Sequence, residues 1–361
     1  MSSDGGSVGR RSFDRHIADD QLAALAARLR ERGVPEYLIE REHDLTGLAA
    51  EVNIRGTERL TLLEAAAEAG LDPDEARHVW HTVGVAVGPD DEPAFAPDEV
   101  AVLAFYAAGS ELFGATGVLQ ALRVIGSSFM RIAEAEVAVL RLAFEVPFIE
   151  AGGSDLDITD GYEHLSAMML PAVESVFAGL HRLHLARSSR RGWTVDEASG
   201  ATLAQVAVGF ADLAGFTSLS GQLSPSELAA IVDAFDEHVS ELVLTNGGQV
   251  VKLIGDEVMF AADAAEDGVR IAEALAAGLP GAEHLPAVRV GAACGEVLNR
   301  DGDYYGSVVN LAARLVALAE PGEVLVDARL AEIAGADAFV ALDPVEVKGF
   351  PDPVTPFRLL A

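Results

Sequence analysis

A single cysteine, Cys294, occurs in the 361 residues. No disulfide can form within the chain and no four-cysteine zinc site can be built. Cys294 falls in the strand-like run Val288-Arg289-Val290-Gly291-Ala292-Ala293-Cys294, where a packing role is expected. Basic residues are also scarce, 25 against 57 acidic ones, for a formal net charge of −32. That balance disfavours nucleic acid and anionic membrane as partners. Although Ala, Leu and Val abound, charges interrupt every apolar stretch before it reaches the ~18 residues of a membrane span. The start, Met1 to Ser7, is polar, expected to be disordered, and carries no signal-peptide apolar core. A cytoplasmic protein of two domains is the expectation.

What is present is a pair of aspartates. Asp212 ends the apolar run Val206 to Ala211 and is followed by Gly215; Asp256 follows Val250 to Ile254 across a glycine turn at Gly255. An aspartate at a strand end is also the ordinary turn former, and for either residue alone that is the simpler reading. Two carboxylates held on neighbouring strands, however, can bind two divalent cations that clamp a phosphate between attacking and leaving oxygens. Further along, Asn310 and Arg314 share one helix face at i, i+4 spacing in the run Asp303 to Arg314.

Read together, Phe210 to Thr217, Lys252 to Asp256, Asp303 to Arg314 and Val347-Lys348-Gly349 make residues from about 203 to 361 resemble the catalytic domain of a class III nucleotide cyclase. The resemblance implies that Asp212 and Asp256 hold two Mg²⁺ or Mn²⁺ ions per active site against the triphosphate of ATP, the reaction giving cyclic AMP and pyrophosphate. Arg314 matches the family's transition-state arginine, and its planar fork suits charge building on the α-phosphate. Asn310 would fix the ribose with its 3′-oxygen in line. Lys348 would contact the terminal phosphates, although a lysine in a C-terminal turn is also an ordinary surface residue; Arg300 is a weaker candidate for the same task.

Lys252 and Asp303 match the family's purine-reading pair. Lysine only donates and ionised aspartate only accepts, which complements adenine N1 and the 6-amino group and mismatches guanine. In a strand, Lys252 and Asp256 are too close in sequence to serve the base and the metals of one nucleotide. The resemblance resolves this by placing the site between two chains, so a homodimer with two shared active sites is implied. A non-catalytic nucleotide-sensing module on the same fold is the alternative.

The expected class is α+β: an N-terminal all-α regulatory domain over 1–186, a linker over 187–202, and a ferredoxin-like catalytic domain over 203–361. Ser224-Pro225-Ser226-Glu227 predicts a capping box opening a helix that stops at Asn246-Gly247-Gly248. The first half repeats Leu, Ala and Val at three- and four-residue spacings, as in Asp20 to Leu29 and Val118 to Ala143, and resembles the helical regulatory domain ahead of some actinobacterial cyclases. Leu60 to Asp72 resembles the opening of a helix-turn-helix, but Asp72, Asp74, Glu75, Asp90, Asp91 and Glu92 surround it, which argues against DNA. Seven of nine histidines lie here (His16, His43, His78, His81, His164, His181 and His184), so a proton is a physically possible effector. The apolar segment Leu165 to Leu180, interrupted by Pro171, is read first as core or dimer interface and second as the wall of a pocket for a small apolar ligand. Arg187 to Trp193 forms a basic patch, read as a hinge whose arginines meet acidic surface.

Overall fold

The computed structural model describes residues 19–41, 44–196, 201–279 and 285–360. His16, His43 and the polar start fall outside these residues. The chain divides into two compact units, Met1–Leu185 and Ala186–Ala361.

The first unit is helical: α1 (Asp19–Glu31), α2 (Glu36–Arg41), α3 (Leu45–Arg55), α4 (Leu62–Ala69), α5 (Pro73–Thr82), α6 (Val100–Phe113), α7 (Ala115–Leu140), α8 (Val146–Glu150) and α9 (Asp155–Ser188). The Thr61/Glu64 capping box opens α4, Gly70 ends it in the left-handed region at φ 70°, and Asp72 caps α5 with Pro73 in its first turn. Each device supplies partners to backbone groups that a helix end leaves free. One core gathers Leu25, Leu29, Leu38, Leu48 and Val52 from α1 to α3; a second gathers Leu62, Val79, Trp80, Leu103 and Leu122 from α4 to α7, with Trp80 stacked on Phe95 at 4.7 Å. The first turns of α9 reach the first core through Leu156 and tie to α1 through the Arg28–Asp160 pair. Beyond that start, α9 runs on through Pro171. The Leu165–Leu180 segment is therefore no core strip of this unit. Met168, Met169, Val176 and Leu180 stand about half exposed, with Phe177 edge-on to Phe129 of α7. An apolar cavity of this unit, about 850 Å³, is lined by other residues, among them Trp80, Phe95, Leu122 and Met130. His78, His81, His164, His181 and His184 are all exposed. No described helix is long and apolar enough to cross a membrane.

The second unit contains β1 (Thr194–Val195), β2 (Thr202–Leu213), α10 (Phe216–Ser220), α11 (Pro225–Thr245), β3 (Gln249–Ile254), β4 (Glu257–Ala262), α12 (Ala265–Ala276), β5 (Val288–Arg300), β6 (Asp303–Tyr305), α13 (Ser307–Leu318), β7 (Val324–Val326), α14 (Ala328–Ala334), β8 (Phe339–Ala341) and β9 (Phe357–Leu359). The sheet runs β3-β4-β2-β5-β7-β9-β8, with β1 added to β2 and β6 to β5. The segment β2-α11-β3-β4-α12-β5, with its strands ordered β5-β2-β4-β3, is the expected ferredoxin-like core. Alternation along β2 sorts the two faces. Ala207, Ala211 and Leu213 pack with Phe235 and Val239 of α11, Ile271 and Leu275 of α12 and Leu330 of α14. Val206, Val208 and Phe210 pack with Met259, Ala293 and, from α13, Ala312 and Val316.

The predicted capping box at Ser224 and Glu227 opens α11. A two-residue turn, Gly255-Asp256, joins β3 to β4, with Gly255 at φ 67°, where a side chain is disfavoured. The basic patch falls in the second unit, just ahead of β1: Arg191 donates to Gln249 and faces Asp263 at 3.8 Å, Trp193 is 65% exposed, and β1 pairs Thr194 with Leu203.

Helix α13 lies so close to β5 that a Cβ at Gly291 would sit 2.0 Å from Val316 N and 2.6 Å from Ala312 O. Gly291→Ala must lift the helix and is expected to cost about 1–3 kcal/mol. Gly117→Ala on α7, where nothing lies within 4 Å of the new methyl group, should be neutral or stabilising by about 0.5 kcal/mol. Calorimetric melting of both variants checks the contrast; equal melting temperatures would overturn it.

Candidate active site

Asp212 sits one residue before the end of β2, in register with Glu257 of β4 on one side and Arg289 of β5 on the other. The residue is nearly buried, 9% exposed, and its Oδ2 accepts from both Nε (2.7 Å) and a terminal nitrogen of Arg289. Asp256 arrives from the β3–β4 turn, its carbonyl accepting from Leu213 N at 3.1 Å. Burial pushes the Asp256 carboxyl above the ordinary aspartate range, and the charge and hydrogen bond of the Asp212 carboxylate push it the same way. Burial, then the charges of Asp212 and Asp256, also raise Glu257. A cavity of about 270 Å³ opens here, lined by Asp212, Leu213, Gly215, Phe216, Thr217, Ile254, Asp256, Glu257 and Arg289.

The donor chemistry fits a hard divalent cation. Carboxylate oxygens are the ligands that Mg²⁺ and Mn²⁺ take, and burial together with crowded like charges raises Asp256 and Glu257, a cost that a cation would reduce. Among the described residues no group of three or more His, Cys, Asp or Glu is arranged to hold a metal alone. Two carboxylates completed by substrate phosphates and water match the way Mg²⁺ is ordinarily held beside a nucleotide.

A second constellation forms elsewhere in the unit. Lys252 Nζ meets Asp303 Oδ2 at 2.5 Å, and Asp303 Oδ1 accepts from Tyr304 N at 2.8 Å. Lys252 belongs to β3 and Asp303 opens β6, so the pair crosses 51 positions of sequence. On α13, Asn310 and Arg314 are exposed one turn apart, while Ala312, Leu315 and Val316 turn into the sheet. Lys348 is exposed in the loop after Val347, lining a cavity with Glu346, Phe350 and Asp352. Arg300 lies 3.6 Å from Asp301 and is exposed. None of Lys252, Asp303, Asn310, Arg314 and Lys348 lines the cavity at Asp212 and Asp256. The structure thus joins Asp212 to Asp256, and Lys252 to Asp303, without bringing the two groups into one pocket of the chain.

Two residues at the carboxylate cavity escaped the sequence reading, Arg289 and Glu257. An arginine between Val288 and Val290 in an apolar strand was a usable signal, because a charge is rarely tolerated there without a partner. Glu257, following Asp256 directly, offered none beyond adjacency.

The sequence profile of the adenylate and guanylate cyclase catalytic domain matches residues 200–360. An uncharacterized protein of Mycobacterium tuberculosis is 36% identical over 332 residues, covering 89% of this chain and 84% of that one. An adenylate cyclase of Streptomyces coelicolor is 35% identical over 295 residues, covering 80% and 75%. Of solved structures, the adenylyl cyclase CyaB from P. aeruginosa aligns at 26% identity and a TM-score of 0.38, covering 44% of this chain and 95% of that chain. A catalytic-domain match together with relatives this similar across most of their length makes the chain a member of the class III adenylate cyclase family, with a helical unit ahead of its catalytic domain.

Proposed function

We propose that the protein is an adenylate cyclase that converts ATP to 3′,5′-cyclic AMP and pyrophosphate at two sites shared between two copies of the chain. The observation that supports this reading is a division within one chain: a carboxylate pair, Asp212 and Asp256, in one cavity, and the Lys252–Asp303 donor–acceptor pair outside it. Each copy would supply Asp212 and Asp256 to one site and Lys252, Asp303, Asn310 and Arg314 to the other.

In the reaction the ribose 3′-oxygen bonds to the α-phosphorus, the 3′-proton leaves, and the bond from the α-phosphorus to the oxygen bridging toward the β-phosphate breaks. Two Mg²⁺ or Mn²⁺ ions, held by Asp212 and Asp256, would lower the pKa of the 3′-hydroxyl and neutralise the leaving pyrophosphate. Asn310 would orient the ribose, and Arg314 would meet the charge that grows on the α-phosphate oxygens. Lys348, in its exposed loop, would approach the terminal phosphates. Arg289 balances Asp212 by a direct ion pair, which would keep a guanidinium beside the triphosphate. Lys252 donating to adenine N1 and Asp303 accepting from the 6-amino group would select ATP over GTP.

Control belongs to the helical unit in this proposal. A proton is the effector proposed there, and the five described histidines of the unit all lie on its surface. A nucleotide sensor without turnover is the competing reading, and it is disfavoured because metal, base and transition-state positions are all filled.

Asp212→Ala and Asp256→Ala should each abolish cyclic AMP formation while circular dichroism stays native, measured at saturating Mn²⁺ to exclude simple loss of affinity. Turnover retained in either variant removes the carboxylate assignment. Changing Lys252 to Glu together with Asp303 to Ala should lower kcat/KM for ATP by roughly 100-fold or more, because the adenine edge loses both partners; retained selectivity against GTP would mean other residues read the base.

Shared sites make a sharper demand. Asp212→Ala and Asn310→Ala chains should be inactive alone, yet mixing restores one intact site in each heterodimer. With random exchange about half the dimers are mixed, so activity should return to roughly a quarter of wild type per chain. No recovery, with exchange demonstrated by differently tagged chains, would mean that each chain builds its site alone.

A further inference from the structure

Strand β3 is irregular between Val250 and Lys252, where one extra residue bulges out of the ladder with β4. In a regular strand Gln249 and Lys252, three apart, would point to opposite faces of the sheet. The bulge cancels that. Gln249 pairs with Ala261 and Lys252 with Met259, two residues that both pack on the α13 face. Both side chains are thereby delivered to the same side, which is how bulges commonly re-aim functional groups.

On that side both of them meet β6, a strand that is not hydrogen-bonded to β3 and belongs to the far part of the sheet. Gln249 Nε2 donates to the Tyr304 hydroxyl at 2.9 Å, and Lys252 Nζ donates to Asp303 at 2.5 Å. Tyr304 is buried, 5% exposed, with its ring among Val206, Phe210 and Met259, and its backbone N–H holds the other oxygen of Asp303. Two rungs thus cross between β3 and β6, and the Gln249–Tyr304 rung is the one anchored in the core. Arg191, from the segment before β1, donates to Gln249 Oε1. An amide whose oxygen is taken by a guanidinium must turn its NH₂ the other way, toward the tyrosine.

We propose that Gln249, Tyr304 and Arg191 are positioning residues for the nucleobase site, holding β6 at the separation from β3 at which Lys252 and Asp303 together match an adenine edge. The role rests on the reading that Lys252 and Asp303 select the base. It adds that the segment preceding the catalytic sheet takes part in that selection, through a chain of three hydrogen-bonded side chains that never touch the nucleotide.

The test uses the full-length protein and two numbers per variant: KM for ATP, and the inhibition constant of GTP against ATP turnover. Their ratio reports base discrimination, and kcat and the melting temperature report general damage. Tyr304→Phe keeps the ring and removes only the hydroxyl; Gln249→Leu removes the amide at similar size; Arg191→Ala frees the amide to rotate. Each should raise KM for ATP and shrink the discrimination ratio by roughly threefold to tenfold, the worth of one net hydrogen bond, with a smaller change in kcat. Arg191→Lys, which keeps a donor toward Gln249 Oε1, should recover most of the loss. Should Gln249→Leu fold poorly, Tyr304→Phe carries the same test. An unchanged ratio in Tyr304→Phe and Arg191→Ala overturns the proposal, and so does a fall in kcat or melting temperature at constant ratio, which is what a merely structural role gives. Lys252→Ala, measured alongside, separates the two levels. Discrimination lost there but kept in the three positioning variants sinks only the positioning role, whereas discrimination kept in all four sinks the base reading and this proposal with it.

Discussion

Strand β2 is paired on both sides, with β4 through six residues and with β5 through eleven, and these two registers set Asp212 between Glu257 and Arg289. A slip of one residue would turn Asp212 to the other face and send Val206, Val208 and Phe210 out of their core. Packing therefore fixes the chemistry. Residues buried against α13 enforce the register, each large apolar side chain stabilising the fold by about 1.5–3 kcal/mol, and the carboxylate at the strand end is carried along. The Gly255-Asp256 turn depends on the same ladder, since β3 and β4 place the turn where the Asp256 carbonyl can accept from Leu213.

A chain with net charge −32 must bind an anionic substrate against its own field. Screening confines distant repulsion to about 10 Å at ordinary salt, which leaves the outcome to local cations. Those of the proposed site are few. Arg289 stands inside the carboxylate cavity, Lys252 is balanced by Asp303, and Arg314 and Lys348 are exposed. Neutralising Asp212 with Arg289 also limits what burying two adjacent carboxylates costs, because an unpaired buried charge is among the most destabilising features a core can carry.

Much of this was legible beforehand because it is written locally. The Asp212 and Asp256 positions followed from apolar runs ending at glycine turns, the capping box at Ser224 from four consecutive residues, and the Asn310 and Arg314 face from helical spacing. The order of strands and helices likewise fixed the ferredoxin-like core. Arg289 was harder, since its partner lies 77 positions away and only the β2–β5 register joins them. The bulge in β3 left no mark at all: Val250-Val251-Lys252 reads as a uniform strand, and the extra residue emerges only against β4. In the helical unit, three- and four-residue periodicity locates helices such as α1 and α7 but not what they pack against, so the reading of the apolar stretch of α9 as core fails, because four of its large side chains stand about half exposed within the unit; that exposure is compatible with the other reading, a dimer interface.

The two tryptophans of the chain divide between the two units and between two environments. Trp80 is 3% exposed against Phe95, and Trp193 is 65% exposed two residues after Arg191. Indole emission shifts with solvent contact, and a water-soluble quencher reaches only an accessible ring. The protein thus carries an intrinsic optical reporter at the very segment that leads into its catalytic sheet, while the buried tryptophan reports separately on the helical core. Rearrangement around Arg191 is readable in the unlabelled enzyme, during turnover, without altering a residue.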